Sequence, residues 1–536
     1  MKLINKLEQS KSFWFLLIIS IIFFLLRFPS LLEPYWYGDE GIYEVIGQAL
    51  HQGRLLYSGI WDNKPPLLYV LYAVFNGDQF SLRLLSLLVG MITTIAFFFL
   101  AKRVLQNVKT AIIATSLFAV LFATPLVEGN IANAENFMLL PIILAGLLLY
   151  QQTHKKIETA IPRPFAIQPV LLLAGLLLGI AFLFKIVAIF DFAAFFLFIL
   201  FRQTQDKPKQ IPQNYRGDGN IRLRTQGETT YLLIPIRHIK IKLMQISHAW
   251  QTFFLRFCTA FPFVIGFLVP LVLTACYFVL QHNFSEFLQA AFLGDISYVG
   301  YSNTLFIPQG LLIVKCYLLV LFLLLVFWKR NLLSQPQLFT VLWFGFSVFN
   351  AFFSQRPYTH YMLVLLPSFC LLTGFCLLHL PKSVRRNLFL LLIATTLALI
   401  IHFPFYIKTL SYYHNALLFL TNQQSLSDYQ AFFDAKTPRD YELAFFLNSP
   451  KHRSDSVFIW GDRAQIYALS HRLPPGRFTV AYHITASSQN LKETQKALTA
   501  HPPDSLIILS EARPFPFPIG VVKKIITIPG ATIYEK

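Results

Sequence analysis

Apolar residues run through the first four hundred positions in long blocks, divided by short polar segments. A helix rises about 1.5 Å per residue, so crossing roughly 30 Å of hydrocarbon takes about 20 mainly apolar residues. On that measure the pattern predicts spans near 12–31, 79–101, 110–127, 135–151, 168–184, 187–201, 257–280, 309–328, 336–353, 361–380 and 387–406. As one helix the block 169–201 would reach about 50 Å, too long for a single crossing. Both of its flanks are basic, so it is predicted to fold as a hairpin of two short helices with Lys185 and Asp191 at the turn. The first block lacks a small-residue cleavage site and runs straight into Arg27, which reads as an anchor rather than a removed signal.

The pattern changes after residue 406. SVFIWGD and DSLIILS have the short apolar runs of strands, RAQIYALSHR and NLKETQKALTA the spacing of helices, and KKIITIPGATIYEK reads as a hairpin around Pro529-Gly530. The predicted fold is a polytopic α-helical membrane protein, with a transmembrane domain over 1–406 and a small α/β domain over 407–536.

Composition supports the membrane reading, because apolar residues make up 55% and charged residues only 13%, against about 25% charged in soluble domains. The net charge of +19 does not form one solvated basic patch, so nucleic acid is not an expected partner. It recurs in alternate loops instead: Lys2, Lys6 and Lys11; Lys102, Arg103 and Lys109; Lys155, Lys156 and Arg163; Lys329 and Arg330; Lys382, Arg385 and Arg386. Loops 125–134 and 281–308 contain no Lys or Arg, which predicts a cytoplasmic N-terminus and places those loops, and the tail, outside a plasma membrane. The basic segment 202–256 is then a cytoplasmic insertion facing anionic membrane lipids. The five cysteines lie in or beside apolar blocks without metal-ligand spacing, so neither a disulfide framework nor a zinc site is expected.

Between the first two spans, residues 33–78 are too apolar for a solvated connector and too polar to cross. Ile42, Val45, Ile46, Ala49 and Leu50 form one face of an interfacial helix that Gly53 can end. Asp39 would cap that helix and Glu40 would sit in its first turn, where the helix dipole favours an anion. A cap explains one carboxylate and not two, so the pair is also a candidate for general-base work on an acceptor arriving along the membrane surface. Asn63-Lys64-Pro65-Pro66 follows, with the prolines opening a helix. Lys64 beside a helix N-terminus suits a phosphate, and it equally fits a snorkelling interfacial lysine.

The order of one span, an Asp-Glu pair, an amphipathic loop helix and Lys-Pro-Pro-Leu before the next span resembles the GT-C glycosyltransferases. The similar group contains the protein O-mannosyltransferases and the lipid A aminoarabinose transferases. SLRLLSLLVG, AFLFKIVAIFDF, RPYTHYMLVLLP and VFIWGDRAQIYALSHRLPP look like its bacterial members. The resemblance implies a GT-C fold, a polyprenyl-phosphate sugar as donor, a lipid, glycan or protein acceptor, and inversion at the anomeric carbon. It also implies an acidic residue after the third span, for which Glu135 is the better match and Glu128 the weaker, with Glu135 equally able to cap the fourth span.

Other polar residues are expected at the same face. Arg356 breaks the pattern of cation-poor outer loops and can grip two phosphate oxygens. His360 could donate beside it, and Lys315 lies close to the outer end of its span, where an ionisable group calls for a partner. Arg83, Lys185 and Asp191 fit structural pairing. The reading is a membrane glycosyltransferase with Asp39, Glu40 and Glu135 as catalytic candidates and Lys64, Arg356, Lys315 and His360 around the donor phosphate. No transition-metal motif is visible, and a divalent cation is left open. A transporter or flippase of lipid-linked saccharides should carry charge near mid-bilayer. A polysaccharide polymerase or ligase would use a diphosphate-linked donor.

Overall fold

The computed structural model describes residues 10–154, 168–201, 248–293, 310–353, 358–379 and 408–536, with short strands within 222–240 and residues 386 and 390. The span expected at 387–406, most of the basic insertion, and Arg356 lie outside the described residues. Among those described, six helices are long and apolar enough to cross a membrane, and three shorter apolar helices accompany them.

Helix α1 (Lys11–Arg27) leads through a 3-10 turn to α2 (Gly38–His51) and α3 (Pro66–Val74), which build the loop before α4 (Gln79–Leu105). α1 buries Ile19 and Phe23 while Ile18, Ile21 and Leu25 face outward, as an outer helix in lipid would. Asp78 caps α4 by accepting from the Ser81 amide at 2.8 Å, and Asn107 caps α5 (Val108–Ala123) in the same way. α5 stops short of the expected 127 because Thr124 precedes Pro125 and takes extended backbone angles.

The hairpin expected over 169–201 is present. α7 (Pro169–Phe184) follows α6 (Ala134–His154) and ends at Lys185; one 3-10 turn then leads into α8 (Ile189–Phe201). Lys185 and Asp191 do not pair with each other: Asp191 accepts from the Trp343 indole at 2.7 Å, and Lys185 turns to Glu135. α9 (His248–Leu280) crosses α7 through reciprocal glycines. A Cβ on Gly175 would meet the Phe263 carbonyl oxygen at 2.0 Å, and one on Gly266 the Leu172 carbonyl oxygen at 2.0 Å. Small residues at such a crossing let the backbones touch. After α10 (Phe284–Leu288) come α11 (Gly310–Lys329) and α12 (Gln335–Ala351); a 3-10 stretch, Thr359–Leu365, then feeds α13 (Leu366–His379).

The tail opens with α14 (Lys408–Leu420), α15 (Leu426–Phe433) and α16 (Thr437–Asn448). A four-stranded sheet of order β1-β2-β4-β3 follows, built from β1 (Val457–Trp460), β2 (Ser505–Leu509), β3 (Lys524–Ile528) and β4 (Ala531–Glu535). β1 and β2 are parallel, linked through α17 (Gln465–Ser470), α18 (Ala481–Ile484) and α19 (Ser488–Ala500); β3 and β4 form the expected hairpin, with Gly530 at φ 83°.

This domain is not tethered loosely. Val457, Ile459, Ile466, Ile507 and Ile533 share one apolar core with Ile42, Val45, Ile46 and Leu68 of the loop between the first two spans. Gln48 donates to the Ala468 carbonyl at 3.0 Å, Gln465 to that of Trp36 at 2.9 Å and Arg54 to that of Pro474 at 2.9 Å. The loop and the tail therefore fold as one layer over the helical bundle.

Candidate active site

α2 begins two residues earlier than the spacing suggests. Tyr37 stands at the N-cap position without a side-chain capping bond, so Asp39 is not the cap but a first-turn residue with its carboxylate free for other partners. Tyr43, one turn on, donates to Asp39 Oδ2 at 3.0 Å, and Lys64 Nζ lies 3.5 Å from the same oxygen. The Asp39 side chain keeps 40% of its surface exposed and that of Lys64 20%, so the pair lines an accessible surface rather than a sealed core.

Lys64 is held from three sides. Its amide donates to the Tyr69 hydroxyl at 3.1 Å, its carbonyl accepts from Tyr57 at 2.8 Å, and its ammonium sits 4.8 Å from the Tyr43 ring centroid. Asp62 supplies a second carboxylate 3.8 Å from Nζ and is fixed by the Tyr69 hydroxyl at 2.6 Å. Burial works against the charge on Lys64, yet Asp39 and Asp62 outweigh it and keep the ammonium protonated well above the ordinary lysine range. Burial would also raise Asp39, but Lys64, His360, the Tyr43 hydroxyl and Lys185 together hold its carboxyl below the usual Asp value. Those four groups mark the neighbourhood of the Asp39 carboxylate.

Glu40 faces the opposite way. Adjacent residues on a helix point about 100° apart, and Glu40 is turned into the protein with 1% of its surface exposed. It pairs with Arg83 at 2.5 Å and accepts from the Ala132 amide at 2.8 Å. Arg83 also bonds Glu33 at 2.9 Å, and Glu33 accepts from Tyr412 at 2.6 Å and Asn130 at 2.8 Å. Of the Asp-Glu pair, both members of which the sequence offers as catalytic candidates, the structure turns only Asp39 to the surface, while Glu40 ties α2 to α4.

Glu128 and Glu135 both belong to a second cluster. Glu128 accepts from Tyr37 at 2.8 Å, from His360 Nδ1 at 2.9 Å and from the Thr359 hydroxyl. Glu135 pairs with Lys185, and His360 Nε2 lies 3.9 Å from it. His360 is therefore set between two carboxylates, with Nδ1 taken by Glu128 and Nε2 facing Glu135 beyond hydrogen-bond distance. Lys185 Nζ also lies 4.5 Å from the Tyr361 ring centroid. Lys315 donates to the Phe352 carbonyl at 2.5 Å. The structure brings Asp39, Lys64, Glu135 and His360 into one neighbourhood and does not bring Glu40 or Lys315 to the Asp39 surface.

Sequence reasoning missed Asp62, Tyr43 and His483, and gave Lys185 only a structural part. Asp62 stands two positions before Lys64 and could have been read from that adjacency. His483 Nε2 lies 3.6 Å from Asp62 Oδ1, across 421 positions of chain (483 − 62), and no local pattern marks it. Among the described residues no group of three His, Cys, Asp or Glu side chains is placed to hold a metal ion.

Residues 55–214 match the family model of the dolichyl-phosphate-mannose-protein mannosyltransferases. The GT-C glycosyltransferase resemblance is thereby shown. The matched segment of this GT-C-like chain is less than half of its length and carries Lys64, Glu128, Glu135 and Lys185, while Asp39 precedes it. Among solved structures, the archaeal oligosaccharyltransferase AglB from Archaeoglobus fulgidus, in complex with an inhibitory peptide and a dolichol-phosphate, is similar at 13% identity and a TM-score of 0.46. That match covers 94% of this chain and 70% of that one. No curated protein sequence matches.

Proposed function

We propose that the protein is an inverting glycosyltransferase of the bacterial plasma membrane, moving a sugar from a polyprenyl-phosphate donor to a lipid, glycan or protein acceptor at the outer face. The observation that carries this reading is the accessible Asp39–Lys64 pair: a proton acceptor beside a cation fixed in its charged state. The family match adds the class of donor.

In the proposed reaction the donor phosphate takes Lys64, with Arg356 as its second cation. The acceptor oxygen attacks the anomeric carbon and forms the new C–O bond as the bond to the phosphate oxygen breaks. Asp39 receives the acceptor's proton, and polyprenyl phosphate leaves as an anion against the cations. Taking Lys64 away from Asp39 has a second effect. The carboxylate loses its stabilising partner and gains a neighbouring anion, so donor binding makes Asp39 a stronger base. Glu135 and Glu128 hold Lys185 and His360 around that base. The chemistry calls on neither Glu40 nor Lys315.

Purified protein given a polyprenyl-phosphate sugar tests this reading. Lys64→Ala and Arg356→Ala should raise the donor Kd by about tenfold or more each, the scale of one lost charge-assisted contact. Unchanged donor affinity in both variants would remove the phosphate site from the account. A donor preference for diphosphate over monophosphate would favour the polymerase or ligase alternative.

A further inference from the structure

A cleft of about 180 Å³ opens where three parts of the chain meet: Trp61 of the outer loop, Glu286 and Gln289 at α10, and Phe478, Gln489 and Asn490 of the C-terminal domain. Asp62 follows Trp61 directly in the chain and Lys64 stands three positions on, and His483 packs on the Trp61 ring at 4.8 Å. The cleft therefore shares the Trp61 segment with the site built around Asp39 while lying outside it.

Its lining has a specific chemistry. The half-buried Trp61 indole and Phe478 form an aromatic wall, edge to face at 5.6 Å. Gln489 and Gln289 are exposed, Glu286 and Asn490 half-buried, and together they bring amides and a carboxylate to the rim. The floor is fixed: the Trp61 amide donates to the Arg477 carbonyl at 2.9 Å, and Arg477 in turn bonds Glu493 and the Tyr57 carbonyl. Asn490 is held by its donation to the His483 carbonyl at 2.8 Å, which leaves its oxygen for a ligand. A lipid or apolar ligand has no use for four amide and carboxylate groups, which would lose hydration without gaining partners. An anion would meet the Glu286 carboxylate, and the guanidinium that could offset it is spent on Glu493. A sugar ring fits both halves, with apolar C–H faces for the aromatic wall and hydroxyls that donate and accept for the amides. At this volume, below the roughly 300–1,000 Å³ of drug-sized pockets, the cleft suits one ring rather than a chain.

We propose that this cleft is a saccharide subsite that seats one pyranose ring of the acceptor, with Trp61 as its platform and Gln289, Glu286 and Gln489 as hydroxyl partners. The C-terminal domain then has a part in choosing the acceptor, since it supplies half of the cleft. This inference rests on the glycosyltransferase reading for the word acceptor, but the cleft's affinity for a sugar ring is measurable without turnover.

The test is saturation-transfer NMR on the full chain in detergent micelles, with the methyl pyranosides of mannose, glucose and galactose as probes. Saturation should reach the ring protons of at least one probe. It should fall several-fold in Trp61→Leu and in the double variant Gln289→Ala/Gln489→Ala, whose exposed side chains can be removed without disturbing the core. No transfer to any probe, or equal transfer in the double variant, overturns the subsite. Adding polyprenyl-phosphate mannose separates the two sources of a sugar: a signal that persists assigns the cleft to the acceptor, and one that vanishes gives it to the donor and overturns the acceptor assignment. If the wild-type chain binds a pyranoside here yet releases no polyprenyl phosphate from any donor, the transferase reading fails and the subsite stands.

Discussion

His483 of the C-terminal domain places Nε2 3.6 Å from Asp62 Oδ1, so the tail buttresses the carboxylate that stands over Lys64. Burial is the chief reason that His483 is held down to about 4, with Asp62 pulling the other way and losing. The imidazole is therefore neutral in the folded protein at ordinary pH. An unfolded histidine takes a proton near 6.5, so between about 6.5 and about 4 the unfolded chain binds more protons, and stability falls as pH falls through that window. The expected loss is on the order of 3 kcal/mol at the acid end. Melting wild type and His483→Phe at pH 7 and pH 4.5 checks this: the drop in midpoint should be smaller in the variant.

The Asp39–Lys64 pair makes a prediction of its own in pH-rate profiles. In the free protein Asp39 is held below the usual carboxylate value, so the acid limb of kcat/KM should lie below that value. In the donor complex Lys64 is engaged by phosphate, so the acid limb of kcat should lie at higher pH. Lys64→Gln should move the kcat/KM limb upward and leave the two limbs closer together. Coincident limbs in the wild type would separate Lys64 from the tuning of Asp39.

Glu40 and Arg83 should behave as a structural pair. Both are fully buried: removing Arg83 leaves the Glu33 and Glu40 carboxylates without their cation, which costs about 3–5 kcal/mol, whereas removing the Glu40 charge leaves Arg83 its Glu33 partner and costs less. Arg83→Met should lower the melting midpoint sharply and Glu40→Gln less so. The share of protein that remains folded should transfer sugar at a rate per molecule within a few-fold of wild type. A Glu40→Gln protein of normal stability that has lost turnover would restore Glu40 to the chemistry.

The α7–α9 crossing admits no side chain at its contact glycines. Gly175→Ala and Gly266→Ala each press a Cβ against backbone oxygen and not against a flexible side chain. Overpacking of this kind costs about 1–3 kcal/mol or more, so monodisperse yield in size-exclusion chromatography should fall for both.

Much of the bundle was legible because a membrane imposes a length and an apolar composition on each crossing. The hairpin at Lys185 followed from the same arithmetic, and the α/β tail followed from its short apolar runs and Pro529-Gly530. Asp39 and Lys64 were legible because two motifs flanked one loop. What the sequence hid are directions and distant contacts. Glu40 follows Asp39 in the chain, but the helical turn sends it to Arg83. His360 looked like a phosphate donor, yet Glu128 takes its Nδ1 and Glu135 faces its Nε2 from another element. His483 approaches Asp62 only because the tail packs on the loop between the first two spans, a contact that no periodicity encodes.

The most direct measurement of the central claim is single-turnover release of polyprenyl phosphate by Asp39→Asn, alongside its donor affinity. A positioned general base contributes about 10²–10⁴-fold, so the variant should lose at least about a hundredfold in rate while donor Kd stays within a few-fold of wild type. Release by Asp39→Asn at close to the wild-type rate would contradict the account, because the proton would then have another acceptor.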